Sequence, residues 1–415
     1  MIYLFNKKKN CGMDMQKTES ANSKGFQRIN RLRVLDLIRS DAQVARGLIC
    51  ERTGLSAASV SNIVGYLIEN GLVEECGFEN VSRTGRKSAL LRFVGDNYRL
   101  ITVSHTERML HIYLTDLKGE VFGHMEYRMQ DLDPSATTDL LCSGVREMLN
   151  SPQGKNVIGI GLSLSALILD QGRQVVSSSF KWDAPGIRRQ LAELTDVPVH
   201  ISNSSFTKGL WLCRTSDENV PSMVLFVDIT KGMGAVAIID GVRVNQVIGE
   251  IGHTTIARDG DPCTCGNRGC LEVMCSPARM MRLYAQASGR VLKDFEDFAH
   301  LVEKGDPDAL AAMQDCAEYL GAGLANLINL FHPGELVINA ADYAACPAVV
   351  ESALTIMLQR VLPGLASGTN IRLTLFNDPE LPRAMAWDLC GAMFSEQFPE
   401  DIFERIEKMA RKTAD

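Results

Sequence analysis

Between Gly25 and Ser40 the apolar residues Ile29, Leu32, Leu35 and Ile38 recur every third position, with Val34 and Leu37 beside them. That spacing predicts an amphipathic helix with one broad buried face. A shorter helix follows from Val44 to Arg52, with Gly54 placed to stop it as a C′ glycine. Ser56 is then a suitable N-cap for AASVSNIVGYLIENG, whose stripe is Val60, Ile63, Val64, Leu67 and Ile68 and whose end is Gly71. Beyond it, LVEECGFENVSRTGRKSALLRF reads as a β-hairpin with Arg83, Arg86 and Lys87 around Gly85 at its tip.

From Tyr98 the pattern changes to strands alternating with helices. RLITVSHTERMLHIYLTDLKGEVFGHMEYRM predicts three antiparallel strands, with Asp116 to Gly119 as a turn. A helix from Ala136 to Leu149 and the apolar strand VIGIGLSLSALI follow. MVLFVDITKGMGAVAIIDGVRV repeats the theme as strand, turn, strand, turn, strand. Later, AAMQDCAEYLGAGLANLINLF is a long helix whose glycines permit close packing, and Pro333–Gly334 breaks it before the buried strand ELVINA. Two α/β halves predict two lobes with a ligand cleft between them. The expected organisation is a disordered leader over 1–25, a winged helix-turn-helix over 26–95, a small α/β lobe over 96–203 completed by a C-terminal helical segment 382–415, and a large α/β lobe over 204–381.

Composition narrows this picture. At 415 residues the chain is too long for one core, and no apolar run reaches the ~20 residues of a membrane span. The N-terminal MIYLFNKKKN reverses the order of a secretory signal, and Met13 or Met15 is a candidate start. Twelve cysteines without regular spacing argue for a reducing, cytoplasmic location over a disulfide scaffold. Residues 1–93 carry 15 Lys and Arg against 9 Asp and Glu, a surplus of +6, so the remainder is −13. A basic head on an acidic body suits a partner such as double-stranded DNA for the head alone.

In a helix-turn-helix the second helix enters the major groove by its N-terminal end. That end offers Ser56, Ala57, Ala58, Ser59, Ser61 and Asn62, small neutral side chains that allow close approach, with Asn62 able to read an adenine. Arg83, Arg86 and Lys87 on the hairpin tip suit phosphate or minor-groove contact. In the body, GEIGHTTIARDGDPCTCGNRGCLEVM from Gly249 to Met274 gathers His253, Cys263, Cys265 and Cys270. Three thiols and an imidazole with no spare ligand position define a structural Zn²⁺ site rather than a catalytic one.

The order of elements, with GEIGH…CTCGNRGCLE and GLANLINLFHPGELVI, resembles the ROK family of repressors and sugar kinases over residues 26–400, and the winged head resembles its transcriptional-regulator branch. The resemblance implies an actin-like two-lobed body whose sugar pocket is lined by Asn203, Glu250, His253 and Glu272. It also implies where kinase parts should lie. Val103–Ser104–His105–Thr106–Glu107 stands in place of an Asp–x–Gly–Gly–Thr phosphate loop, Asn203–Ser204 in place of Asn–Asp with its general base, and VINAADY has alanines where kinases have glycines. Only Lys231–Gly232–Met233–Gly234 keeps part of a second phosphate loop. The expectation is a non-enzymatic, sugar- or sugar-phosphate-responsive repressor acting as a homodimer or homotetramer. The alternatives are an active ATP-dependent sugar kinase and a regulator controlled by a phosphotransferase-system protein.

Overall fold

The computed structural model describes residues 15–78, 89–105, 109–129, 133–169, 174–176, 184–214, 221–230, 232–239, 249–376 and 378–414, with backbone alone for 15–24, 184–185, 378 and 412–414. They form two compact units: one runs up to Asn97 and resumes at Gly391, the other spans Tyr98–Cys390.

The first unit comprises α1 (Met15–Ser40), β1 (Val44–Ala45), α2 (Arg46–Thr53), α3 (Ala57–Glu69), β2 (Val73–Phe78) and β3 (Ala89–Phe93). The three strands make one antiparallel sheet in the order β1–β3–β2. Leu35, Ile38, Ile49, Val60, Val64, Leu67 and Leu91 are fully buried in its core. Gly54 ends α2 in the left-handed region (φ 70°), its N–H reaching the Cys50 carbonyl at 2.9 Å, and Ser56 Oγ caps α3 by accepting the Ser59 N–H at 3.2 Å. This is the expected helix-turn-helix, with a wing whose tip residues Arg83, Arg86 and Lys87 lie outside the described residues. Ile68 departs from the expected stripe and is 37% exposed, one step round the helix from the buried Leu67.

Two boundary expectations are corrected. The supposed leader is helical from Met15, where α1 already begins. The segment 382–415 does not complete the small lobe as a whole: residues from Gly391 join the first unit. The reason is the amphipathic C-terminal helix Ile402–Ala414, which buries Ile402, Phe403 and Ile406. Phe403 meets the Tyr66 ring edge-on at 5.9 Å, the Tyr66 hydroxyl donates to Glu407 at 2.7 Å, and the Arg31 guanidinium lies 3.4 Å from the Tyr66 ring centre.

The second unit begins with β4 (Arg99–His105), β5 (Met109–Thr115), β6 (Val121–Arg128), α4 (Pro134–Asn150), β7 (Val157–Leu164), β8 (Leu167–Leu169), β9 (Gln174–Val176), α5 (Ala184–Leu194) and β10 (Val199–Asn203). Its five-stranded sheet runs β10–β7–β4–β5–β6, parallel as far as β4 and antiparallel beyond. Asp116 Oδ1 closes the β5–β6 turn by accepting the Lys118 and Glu120 amides at 2.8 and 2.9 Å. Ile101, Val103, Ile112, Leu114, Ile160 and Leu162 pack with Leu141 and Val145 of α4 and Ile187 and Leu191 of α5.

The other half contains α6 (Ser204–Leu212), β11 (Met223–Ile229), β12 (Met233–Ile239), α7 (Leu271–Cys275), α8 (Pro277–Ser288), α9 (Phe295–Glu303), α10 (Pro307–Phe331), β13 (Glu335–Asn339), α11 (Ala348–Arg360), α12 (Leu365–Gly368), β14 (Asn370–Thr374) and α13 (Leu381–Met393). Here the sheet is β12–β11–β13–β14, with β12 alone antiparallel. The third strand expected after Gly241 lies outside the described residues. Gly321 and Gly323 let α10 approach Ile356 of α11 and Leu271 of α7, as a side chain at either would collide with them. No helix among the described residues is long and apolar enough to cross a membrane.

Candidate metal centre and ligand pocket

The loop from Gly249 to α7 folds back on itself through backbone pairing of Ile256 and Gly269 (2.8 Å), Thr254 and Leu271 (2.9 Å), and Cys263 and Asn267 (2.8 Å). Gly269 makes this possible: its φ is 64°, and a Cβ there would collide with the Ala257 carbonyl. The fold-back brings together all four sequence-assigned donors, His253, Cys263, Cys265 and Cys270, with their ligand atoms within 4.8 Å of one another. His253 Nδ1 lies 3.6 Å from Cys263 Sγ, and Cys265 Sγ 3.7 Å from Cys270 Sγ. A tetrahedral ion with metal–sulfur bonds of ~2.3 Å and metal–nitrogen bonds of ~2.0 Å sets edges of about 3.5 Å for N···S and about 3.75 Å for S···S. These two spacings match the edges of a tetrahedral site, and the cluster could hold a metal ion.

The cluster is electrostatically uneven. Burial pushes the Cys270 thiol up to about 12, while the Asn267 backbone amide draws the exposed Cys265 thiol down. Asp261, the residue two before Cys263, receives the Arg279 Nε at 3.0 Å and also the Arg282 guanidinium, so α8 anchors the loop from behind. Arg279 in turn reaches the carboxylate of Asp315 on α10.

The acidic residues lie at the loop's edges. Glu272 Oε2 accepts the Met233 N–H at 3.0 Å. Glu250 is close enough to feel both His253 and Glu272; desolvation raises its pKa, Glu272 adds to the rise and His253 opposes it. Asn203 closes β10, its Oδ1 capping α6 through the Phe206 N–H at 3.0 Å and its Nδ2 donating to the Ala166 carbonyl at 2.7 Å. Those bonds use one acceptor site and one donor of its amide, leaving a second of each. The start of α6 meets the β11–β12 hairpin at Gly234, where a Cβ would lie 3.1 Å from Ser205 Oγ; Glu272 holds the same hairpin at Met233. Through Ser205, which donates to Asp228 of β11, and through the β11–β12 hairpin, the Asn203 segment is linked to Glu272.

Some of the positions that the family resemblance relates to kinase chemistry have partners within the chain. Ser204 Oγ pairs with Ser165 Oγ at 3.3 Å, and the Met233 amide is already bonded to Glu272. His105, at the end of β4, is buried, and desolvation lowers its pKa to about 4. Thr106, Glu107 and Lys231 lie outside the described residues. In the first unit, Ser56, Ala57, Ala58, Ser61 and Asn62 are exposed at the start of α3, and Ser59 is half-buried behind Ser56.

Sequence reasoning missed two buried carboxylates. Asp228, 1% exposed on β11, accepts from Ser205 (2.9 Å), Lys208 (2.9 Å) and Asn339 (2.7 Å). Asp388 on α13 accepts from Thr207 at 2.8 Å, and Thr207 in turn accepts from Ser163 at 3.2 Å. A lone carboxylate in each of the apolar runs MVLFVDI and AMAWDLC was the available signal, because buried charge demands partners. Both carboxylates tie α6 to neighbouring elements.

The ROK family model matches residues 107–373. The xylose repressor of Bacillus spizizenii is 28% identical over 353 residues, covering 82% of this chain and 89% of its own length. The dual regulator NagC of Escherichia coli K12 is 27% identical over 341 residues, covering 78% of this chain and 84% of its own. A solved ROK family transcriptional regulator, described as a homologue of E. coli MLC, superposes with TM-score 0.75 at 22% identity over 93% of this chain and all of its own. The ROK hexokinase of Thermus thermophilus superposes with TM-score 0.57 at 22% identity over 70% and 97%. At these identities the structures establish the fold, a mixed α/β ROK body preceded by a helix-turn-helix.

Proposed function

The chain belongs to the ROK family, and from that premise we propose that it is a sugar-responsive transcriptional repressor whose body binds a sugar or sugar phosphate and no longer phosphorylates it. The observation that carries this reading is the joining, in one chain, of a capped helix-turn-helix with the His–Cys₃ loop flanked by Glu250 and Glu272. The relatives' names, xylose repressor and N-acetylglucosamine repressor, point the same way.

Zn²⁺ is the ion that best suits three thiolates and one imidazole, and a closed Cys₃His shell supplies rigidity and no open position for chemistry. His253 would ligate through Nδ1, which fixes its Nε2 as an N–H donor. Glu250, Glu272 and the second lone pair of Asn203 Oδ1 are hydrogen-bond acceptors for vicinal hydroxyls. Catalysis is disfavoured because Ser204 has a hydroxyl partner instead of a base and the Met233 amide is taken by a carboxylate. The exposed residues at the start of α3, together with Arg83, Arg86 and Lys87, are the proposed DNA contacts, on a homodimer or homotetramer in the cytoplasm.

The deciding experiment is operator binding by the full chain with and without sugars and sugar phosphates, followed by fluorescence anisotropy and calorimetry. One class of sugar should change operator affinity by at least tenfold, and Glu272→Gln should weaken that sugar while sparing DNA binding in its absence. ATP-dependent phosphorylation at ordinary enzyme rates would overturn the reading.

A further inference from the structure

Away from the Cys loop, the β5–β6 edge of the five-stranded sheet carries a second cluster of metal-ligating side chains. Along β5 the residues Leu110, Ile112 and Leu114 enter the core, which sends Met109, His111 and Tyr113 to the opposite face. The register places His111 opposite Glu126 and Tyr113 opposite His124, so these four side chains form a square on that face. His111 Nδ1 lies 3.2 Å from His124 Nε2 and 3.7 Å from Glu126 Oε2, and the three ligand atoms all fall within 4.8 Å. The Tyr113 ring stacks on the His124 ring at 4.3 Å and 4°, which restricts the imidazole's rotation.

Zn–N and Zn–O bonds of ~2.0–2.1 Å set tetrahedral edges of about 3.3 Å, against 3.2 Å and 3.7 Å from His111 Nδ1 to the other two donors. We propose that His111, His124 and Glu126 form a second Zn²⁺ site, distinct from the thiolate loop. Two imidazoles and one carboxylate favour zinc over magnesium or calcium, which prefer all-oxygen shells. Three protein donors on an open sheet face leave the fourth position to water. The competing account of the 3.2 Å contact is an N–H···N hydrogen bond between two metal-free imidazoles.

The test is zinc stoichiometry on the full chain after stripping and reconstitution. Two equivalents are expected, falling to one in His124→Ala, an exposed position whose loss spares the fold. With Co²⁺ in place of zinc, His124→Ala should keep the thiolate charge-transfer bands of the Cys loop intact. Glu126→Gln should weaken the second equivalent at least tenfold. A single equivalent in the wild type, two in His124→Ala, or undiminished affinity in Glu126→Gln would overturn the assignment.

Discussion

The metal loop and the helix-turn-helix unit reach order by opposite means. From Thr254 to Arg268 the loop buries no side chain fully, and its shape rests on backbone pairing, the Arg279–Asp261 anchor and four converging donors. The head is ordered by apolar stripes: Leu35, Ile38, Val60, Val64 and Leu67 lose all contact with solvent, while the start of α3 stays small, neutral and exposed. Ligation can be withdrawn without touching a core, and a core can be hollowed without touching ligation. The two regions should therefore fail independently.

The largest effect is expected in the loop. A structural zinc shell carries on the order of 10 kcal/mol of binding free energy, so Cys265→Ser should abolish metal retention at that site and lower the body's melting temperature. Elemental analysis and calorimetry check this, and unchanged zinc content would remove Cys265 from the ligand set. Leu67→Ala should cost the head roughly 2–5 kcal/mol, eliminating operator binding while metal content stays constant; loss of zinc in that variant would show the regions to be coupled. A third, intermediate effect belongs to His105. Its folded pKa of about 4 lies below the ordinary 6.5, so the unfolded chain takes up a proton that the folded chain refuses. Stability is then full above about pH 6.5 and declines by up to roughly 3 kcal/mol as pH falls toward 4. His105→Gln should flatten that part of a pH-stability curve. Smallest, Ser56→Ala removes the α3 cap and should cost about 1 kcal/mol, visible as a modest shift in denaturation midpoint without change in metal content.

What could be read from the chain follows the same division. Helical period three-to-four exposed the head, because one element's stripe identifies its buried face without knowledge of its partner. The convergence of His253, Cys263, Cys265 and Cys270 was legible because they lie within eighteen residues and ligand chemistry restricts the choices. The partner of the C-terminal helix was not legible: Ile402, Phe403 and Ile406 declare a buried face, yet only three-dimensional contact reveals that Tyr66 and Arg31 receive it. Asn203 was read as a ligand contact, and its use as a helix cap depends on where β10 ends and α6 starts. The His111–His124–Glu126 cluster depends on strand register, which a one-residue slip would destroy.

The packing of Phe403 and Glu407 against Tyr66 has a consequence for how this regulator comes into being. Its helix-turn-helix unit is stitched from segments on either side of residues 98–390, all of which are synthesised in between; Tyr66 and Glu407 lie 341 positions apart. A nascent chain thus exposes an unfinished head until the Ile402–Ala414 helix has emerged, so that head can be complete only once the Tyr98–Cys390 unit has already been made.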